Sequence, residues 1–461
     1  MVLPNPPALP MLAAVPTTQL TTDQVLAPLI WVFFAAFGVS FVATPVMRWL
    51  ARRNNIVDWP DLKRKAHAQP IPYLGGVAIF LGWLAGMVCA MFLHPGDVSA
   101  GVLMYTTPPP YILVGAGIIV FVGLMDDVYG VSPRVKVGGQ VLAAAALANE
   151  KLGTGQTVGF LLVEQTAKVM GGYIPIPALI HPNALVCYIL GTIIIAVFVV
   201  GGCNAVNLMD GLDGLAAGVT AIANLGFLFI SVYVALLMAG NDPDLSGSDW
   251  IAAPTRIILC LALLGALLGF LPFNFNPASI FMGDTGSLLL GYLSVSTILL
   301  FAHTAAKGPM FVTAGLIVFA LPIADTALAI VRRKIRGKPI FSADDQHLHH
   351  QFLRIFRSLN LSQNTSVKLA VVSLYLASLV FAALGAAVVF LRWRYVEAIA
   401  LVVFSFILIA AYKAGQRQVI AIRSQTAEEV KNAAAPKPDE PPAPPAEAAP
   451  TDKQHSPAAP R

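Results

Sequence analysis

Two apolar runs joined by a short polar stretch occupy residues 185–239, LVCYILGTIIIAVFVVGGCNAVNLMDGLDGLAAGVTAIANLGFLFISVYVALLMA. Each run has the roughly 20 apolar residues that a helix needs to cross a bilayer. The glycines, asparagines and aspartates between the runs predict a broken or frayed helix, because an unpaired charge inside a membrane helix costs about 2.5–3.5 kcal/mol. This stretch therefore predicts two membrane helices that meet at a polar junction.

The composition of the whole chain agrees with this interpretation. Of its 461 residues, 57% are hydrophobic and 11% are charged, whereas an average soluble domain has about 25% charged residues. The mean hydropathy of +0.74 excludes one soluble core, since such a core still requires a polar shell. The net charge of +5 is spread over loops, which favours a role in membrane orientation over nucleic-acid binding.

The same length criterion predicts an all-α polytopic membrane protein with about 11 transmembrane helices. The predicted spans are residues 25–50, 74–94, 110–125, 137–150, 184–202, 214–238, 255–271, 285–303, 310–331, 368–391 and 395–412.

Lys and Arg are concentrated in alternate loops, which predicts the orientation, because such residues accumulate on the cytoplasmic side. The basic loops at 51–73, 126–136 and 332–367 would be cytoplasmic, with the N-terminus outside and the C-terminus inside. Residues 1–24 then form a short extracytoplasmic segment and residues 25–424 form the membrane domain. The Pro-rich and Ala-rich residues 425–461 predict a disordered cytoplasmic tail.

Acidic residues that interrupt the apolar segments carry the chemical signal. By this topology they all lie at cytoplasmic junctions: Asp126, Asp127, Asp210, Asp213 and Asp284. Any one of them is easily explained as a solvated loop carboxylate, but that explanation fits poorly for all five together, surrounded by Gly and Asn. Adjacent carboxylates repel each other unless a cation or proton shares the site. The neighbouring pair Asp126 and Asp127 therefore suits metal binding or general-base work.

Basic and amide side chains accompany these carboxylates. Arg134 and Lys136 follow the first pair of aspartates, and Asn204 and Asn207 precede the second pair. Cations beside carboxylates suit a phosphate substrate with Mg²⁺. Near Asp284, either Thr285 or Ser287 is expected to cap the following helix.

Three histidines, His347, His349 and His350, are concentrated in the stretch FSADDQHLHHQF at 341–352. Their spacing matches no standard zinc pattern. Because imidazole N–H groups donate well to anions, a role in phosphate or sugar binding is favoured over metal ligation.

Taken in order, these motifs resemble the polyprenyl-phosphate N-acetylhexosamine-1-phosphate transferase family. The residues that carry the resemblance are DD at 126–127, NAVNLMDGLDG at 204–214, FMGDTGS at 281–287 and HLHH at 347–350. DWPDLKRKAHAQPIPYLGG at 58–76 is similar to a family loop that contains Lys65 and His67, although Tyr73 stands where many relatives have Arg.

The resemblance implies a site that faces the cytoplasm. It implies Mg²⁺ contacts at Asn207 and Asp284 and catalytic acidic positions at Asp126, Asp127, Asp210 and Asp213. Substrate would be bound by the remaining polar positions, which are Lys65, His67, Arg134, Lys136, Asn204, His347, His349 and His350.

The expected activity is transfer of a sugar-1-phosphate, GlcNAc-1-phosphate by preference, from a UDP-sugar to polyprenyl (undecaprenyl) phosphate. UMP would be released and a cell-envelope polysaccharide would be started. The expected partners are the UDP-sugar, the lipid carrier and the plasma membrane, with no nucleic acid, and a homodimer is left open. The alternatives are the phospho-MurNAc-pentapeptide transferase of peptidoglycan synthesis, whose run of three histidines Leu348 interrupts here, and an ion-coupled transporter.

Overall fold

The computed structural model describes residues 21–59, 70–93, 109–148, 184–239, 249–304, 307–335, 347–392 and 394–406, with the single residues 337, 409, 413 and 416. The expected substrate ligands Lys65 and His67 lie outside the described residues. The expected tail at 425–461 and most of the segment 1–24 also lie outside them.

Helices dominate the described part of the chain. In chain order they are α1 (Thr22–Leu26), α2 (Ile30–Arg53), α3 (Gly75–Phe92), α4 (Pro110–Tyr129), α5 (Pro133–Leu147), α6 (Ala184–Met209), α7 (Leu215–Ala239), α8 (Asp249–Asn274), α9 (Gly283–Leu300), α10 (Gly308–Val318), α11 (Ala320–Ile335), α12 (Leu348–Arg357) and α13 (Gln363–Val388). A further helical segment covers 394–406. Two short antiparallel strands, β1 (Val57–Asp58) and β2 (Ile71–Pro72), pair between α2 and α3.

The all-α membrane class is confirmed at this coarse level. Within the described residues, 8 helices are long and apolar enough to cross a membrane, or up to 9 if α10 and α11, which meet at a bend of 69°, form one span. The expected count of about 11 included two further spans. One corresponds to α5, which has only 15 residues, and the other, 395–412, continues past the described residues.

Helix α9 lies at the centre of the bundle and contacts α3, α4 and α6. All of its residues are buried except Asp284 in its first turn. In an α-helix the N–H groups of the first turn have no partner within the helix, and neither do the C=O groups of the last turn. The first turn of α9 therefore needs hydrogen-bond acceptors from the surrounding helices.

Glycines on the neighbouring helices allow this close packing. A Cβ on Gly76 of α3 would lie 2.1 Å from the backbone N of Gly286, and one on Gly123 of α4 would lie 2.5 Å from the Cα of Thr285. Small residues let membrane helices approach closely enough for extensive van der Waals contact. The first turn of α9 is consequently held directly against the backbones of α3 and α4.

The segment before α9 is anchored to β2 and to the start of α3. Phe281 N donates to Pro72 O at 2.8 Å, and Gly76 N donates to Met282 O at 2.9 Å. These backbone hydrogen bonds tie the segment that leads into α9 to β2 and to the first turn of α3. They fix the backbone directly before Asp284.

The polar junction in the opening stretch breaks the helix as predicted. Helix α6 ends at Met209 and α7 begins at Leu215, with Gly214 at φ 78°. Asn204 and Asn207 lie in the last turns of α6, whereas Asp210 and Asp213 lie in the break. The four residues therefore do not share one helical face.

Candidate active site

A polar cluster forms where the ends of several helices meet at one end of the bundle. Its members are Asp126 and Asp127 at the end of α4, Lys136 in the first turns of α5, Asn207 near the end of α6 and Asp284 in the first turn of α9. The structure thus brings together motifs that are separated by up to 158 residues in the chain.

Lys136 lies between two carboxylates of the cluster. Its Nζ is 2.9 Å from Asp126 Oδ2 and also contacts Asp284 Oδ2. The other oxygen of Asp126 accepts a hydrogen bond from Val131 N at 3.0 Å. A cation therefore already bridges carboxylates from α4 and α9.

Asn207 holds the other oxygen of Asp284. Its Nδ2 donates to Asp284 Oδ1 at 2.8 Å and to Ser287 Oγ at 2.9 Å. Ser287 Oγ in turn donates to Gly283 O. The two residues that the family resemblance assigns to the metal, Asn207 and Asp284, are therefore direct neighbours.

Asp127 caps α9 from another helix. Its Oδ1 accepts from Asp284 N at 2.8 Å, and its Oδ2 accepts from Thr285 N at 3.0 Å and from Thr285 Oγ1 at 2.6 Å. The prediction that Thr285 or Ser287 caps this helix is therefore wrong, since α9 begins two residues earlier, at Gly283. The first N–H groups of α9, those of Asp284 and Thr285, therefore donate to the carboxylate of Asp127 in α4.

Asp210 has a different environment. In the part of the chain that the structure describes, its side chain makes no hydrogen bond. Burial, together with the negative charges of Asp284 and Asp127, raises the pKa of Asp210 to about 8. This carboxyl group can therefore exchange a proton near neutral pH.

Asp213 instead holds the loop between α8 and α9. Its Oδ2 accepts from Asn276 Nδ2 and from Ala278 N, both at 2.9 Å. The break between α6 and α7 is thereby tied to the segment that leads into Asp284. These contacts position the backbone around the site.

Two expected substrate ligands lie away from these contacts. Asn204 lies one turn before Asn207 and donates to Gln140 Oε1 at 2.9 Å and to Val200 O at 2.7 Å, which joins α6 to α5. Arg134 is exposed at the start of α5. The structure therefore brings neither residue into the network around Lys136.

The three histidines lie at the start of α12. His347 and His349 are buried, with 4% and 2% exposed, and their parallel rings have centroids 5.7 Å apart. The rings of His349 and His350 are also in contact, with centroids 4.2 Å apart and 48° between their planes. The histidine segment approaches the acidic cluster through Gly211, where a Cβ would lie 2.3 Å from His349 Nε2.

Sequence reasoning missed two residues of this region. Asp325 in α11 contacts His347, and Gln140 forms the contact with Asn204 given above. Asp325 carried a usable signal, because it is an acidic residue inside an apolar run, the criterion that selected the other aspartates. Gln140 carried none, since single polar residues in apolar helices are common.

A divalent cation fits the donor set of this cluster. Among the described residues, no group of three or more His, Cys, Asp or Glu side chains forms a ready-made metal cage. Mg²⁺ seldom uses such cages and is usually bound by one or two carboxylates together with substrate phosphates and water. Asp284 supplies a carboxylate of that kind, and the Lys136 ammonium already places a positive charge against it. Asn207 directs its Nδ2 to Asp284 here, so its amide would turn to present Oδ1 to a bound cation.

Fold and site together define a multi-pass membrane protein with a cluster of carboxylates, a lysine and an asparagine at one end of its helices. The model of glycosyl transferase family 4 matches residues 109–302, which include all of this cluster.

Curated relatives extend the match over most of the chain. A decaprenyl-phosphate N-acetylglucosaminephosphotransferase from Mycobacterium tuberculosis is 36% identical over 335 residues, 69% of this chain and 74% of the relative. A probable undecaprenyl-phosphate N-acetylglucosaminyl 1-phosphate transferase from Bacillus subtilis is 31% identical over 78% of this chain and 84% of the relative. A relative from Escherichia coli, an undecaprenyl-phosphate alpha-N-acetylglucosaminyl 1-phosphate transferase, is 27% identical over 67% and 71%. The chain belongs to glycosyl transferase family 4, among the polyprenyl-phosphate N-acetylhexosamine-1-phosphate transferases.

Proposed function

We propose that this protein transfers GlcNAc-1-phosphate from UDP-GlcNAc to a polyprenyl phosphate such as undecaprenyl phosphate and releases UMP, with Mg²⁺ as cofactor. The observation that carries the proposal is the meeting of Lys136 with Asp126, Asp284 and Asn207 at one end of membrane-spanning helices. Such a place can receive a water-soluble nucleotide from one side and a lipid phosphate from the bilayer. The names of the relatives support GlcNAc as the sugar.

The reaction must bring two anions together, since the lipid phosphate attacks the phosphorus that carries the sugar. When bound, Mg²⁺ neutralises phosphate charge and aligns the reacting oxygens. Asp284 and Asn207 would hold it. The Lys136 ammonium can move from the carboxylates to a phosphate oxygen, because a charge-assisted hydrogen bond is available in either position.

The contacts of Asp127 support a single displacement over an aspartyl-phosphate intermediate. Both of its oxygens accept hydrogen bonds from the first turn of α9. Attack by Asp127 on phosphorus would remove the cap from the helix that carries Asp284. In a single displacement Asp127 keeps these contacts throughout, and its contribution is to position α9.

In this mechanism a second carboxylate accepts the proton of the lipid phosphate. The oxygens of Asp126 are engaged with Lys136 and Val131, whereas Asp210 has no such partner in the described part of the chain. A general base works best when its pKa is close to the operating pH. We therefore assign proton acceptance to Asp210.

The site is proposed to face the cytoplasm, with the chain in the plasma membrane. The support is the concentration of Lys and Arg in the loops at 51–73, 126–136 and 332–367, of which the second contains Asp126, Asp127 and Lys136 of the cluster. The UDP-sugar would then enter the site from the cytoplasm. The lipid product would start a cell-envelope polysaccharide.

The direct test is product identification. Purified protein is incubated with Mg²⁺, a polyprenyl phosphate and each of several UDP-sugars, including UDP-MurNAc-pentapeptide, and the lipid product is analysed by mass spectrometry. We expect lipid-linked GlcNAc-1-phosphate. A product that forms only from UDP-MurNAc-pentapeptide would establish the peptidoglycan alternative.

Reversibility provides a second test, because one phosphoanhydride is broken and another is made. Labelled UMP should exchange into UDP-GlcNAc in the presence of the lipid product. Absence of exchange in a preparation that makes the lipid product would contradict direct transfer. Absence of any product, with uptake of a solute by proteoliposomes, would support the transporter alternative.

A further inference from the structure

Asp325 is a buried carboxylate that the mechanism above does not use. It lies in α11 with 2% of its side chain exposed. Burying a carboxylate is costly unless hydrogen bonds satisfy its oxygens. The contacts that satisfy it therefore indicate what it does.

Both oxygens of Asp325 are engaged by the start of the histidine segment. Oδ2 lies 2.9 Å from His347 Nδ1, and Oδ1 accepts from Leu348 N at 2.8 Å. His347 directly precedes α12, so Leu348 N is one of the first-turn N–H groups that have no partner within the helix. Asp325 thus holds the His347 ring and the beginning of α12 at the same time.

The histidine segment then continues toward the acidic cluster. The ring of His349 stacks on that of His347, with 4° between their planes, and packs on Gly211 in the break between α6 and α7. Burial and the neighbouring His350 lower the pKa of His349 to about 3. His349 is therefore neutral and acts as a packing group between His347 and the residue that follows Asp210.

We propose that Asp325 is a positioning residue for phosphosugar transfer, which acts by holding His347 and the first turn of α12 against the break between α6 and α7. The inference rests on the proposed function. A carboxylate that accepts the Nδ1 proton of a histidine leaves Nε2 as the ring nitrogen for a substrate, and such partners set both tautomer and orientation. The expected ligand of the histidine segment is the diphosphate or sugar of the nucleotide sugar.

The primary variant is Asp325→Asn, which retains the size of the side chain and removes the charge. The substituted side chain would have one acceptor oxygen in place of two, so either the contact with His347 Nδ1 or the hydrogen bond from Leu348 N is lost, or the amide becomes the donor to His347. We expect kcat/KM for UDP-GlcNAc to fall about 10- to 100-fold, since a hydrogen bond to a charged group is lost. Most of the change should be in KM for the UDP-sugar, with KM for the polyprenyl phosphate within about twofold of wild type.

A matched control is available on the next residue. The Thr326 hydroxyl is buried and has no hydrogen-bond partner among the described residues, so Thr326→Val changes α11 at the same depth without removing a contact seen there. Its kinetic constants should equal those of wild type. An equal loss in Thr326→Val and Asp325→Asn would show a general effect on α11 and overturn the inference.

A double-mutant cycle separates positioning from stability. If Asp325 acts through His347, Asp325→Asn should cost less than about twofold in a His347→Asn background, because the coupled partner has already been removed. The same loss in both backgrounds would contradict the proposal. If Asp325→Asn does not fold, the double variant, which can retain an amide hydrogen bond, should match His347→Asn alone, and a lower activity would count against the inference.

Wild-type activity distinguishes the two failures. If wild type makes no lipid-linked sugar phosphate, the proposed function fails. If wild type is active and Asp325→Asn has the same KM for UDP-GlcNAc, the proposed function stands and Asp325 has no positioning role.

Discussion

Asp210 shows how one residue can be unfavourable for folding and suited to function. Its carboxyl group is surrounded by the charges of Asp284, Asp127 and Asp213, and its pKa is raised to about 8. A carboxyl group whose pKa is higher in the folded than in the unfolded state lowers stability as the pH rises between the two values. The interval here runs from the ordinary value of 3.8 to about 8.

Asp210→Asn should therefore raise the unfolding temperature of the metal-free protein, by more at pH 8 than at pH 5, because Asn never acquires the charge. An increase of about 1–3 °C at pH 8 is the expected scale. The same variant should lose about 10²–10⁴-fold in turnover, as expected for a proton acceptor. Thermal unfolding in detergent with EDTA, together with the transfer assay, checks both effects, and lower stability at pH 8 than wild type would contradict this account.

Asp284 and Asp127 should respond differently to Mg²⁺. Asp284→Asn keeps one carbonyl oxygen but removes the charge, so its loss of activity should be partly recovered at high Mg²⁺ concentration. Asp127→Asn replaces one of the two oxygens that accept from the first turn of α9 with an NH2 donor, and added metal cannot restore that contact. Activity as a function of Mg²⁺ concentration decides the matter.

Two outcomes of that titration would reverse the assignments. Full activity of Asp284→Asn at ordinary Mg²⁺ would exclude Asp284 as a metal ligand. Complete recovery of Asp127→Asn with Mg²⁺ would place Asp127 at the metal instead.

At the scale of the element, the first turn of α9 is the decisive piece of structure. Gly283 has φ 66°, in the left-handed region that favours glycine, and a Cβ there would lie 2.5 Å from Asp127 Oδ2. The backbone conformation and the contact with the capping carboxylate both require the absence of a side chain.

Gly283→Ala should consequently destabilise the protein by about 2 kcal/mol or more, from backbone strain and displacement of Asp127. It should also reduce transfer activity. Gly138→Ala in α5 is a matched control, because a Cβ there meets nothing within 4 Å and Ala favours a helix by about 1 kcal/mol over Gly. Unfolding in detergent should separate the two variants, and similar stability would disprove the required conformation of Gly283.

At the scale of the whole molecule, four helix ends converge on the cluster. Helices α4 and α6 end there, and α5 and α9 begin there. The chain therefore runs away from this end of the bundle along α5 and comes back to it along α6. This arrangement fits α5 as a short span. The orientation of the bundle in the membrane stays a prediction from the charge of the loops.

Cysteine labelling in intact cells tests that orientation. Arg64→Cys and Asp345→Cys should be protected from an impermeant thiol reagent, because their loops are predicted to be cytoplasmic. Arg392→Cys, which lies beyond the other end of α13, should react and serves as the control. The native cysteines Cys89, Cys187, Cys203 and Cys260 are free and at least partly buried, and the unmodified chain gives the background. Reaction at Arg64→Cys or Asp345→Cys would invalidate the cytoplasmic site.

Much of this protein was predictable from local sequence patterns. Apolar runs of membrane length predicted an all-α membrane protein, and the polar junctions between them marked Asp126, Asp210 and Asp284. These signals are local, because the cost of placing a charge in lipid acts on each helix separately. The order of the motifs was sufficient to predict the family.

Only the tertiary structure decided which polar groups contact one another. Three of these contacts join residues that are far apart in the chain. Asp127 caps α9 across 157 positions, Asp213 binds the loop before α9 across 65, and Asp325 contacts His347 across 22. Such partners depend on how the helices pack, and packing in turn depends on small residues such as Gly76 and Gly123. A hydrophobic pattern specifies which segments cross the membrane, but it contains no information about which helix end faces which carboxylate.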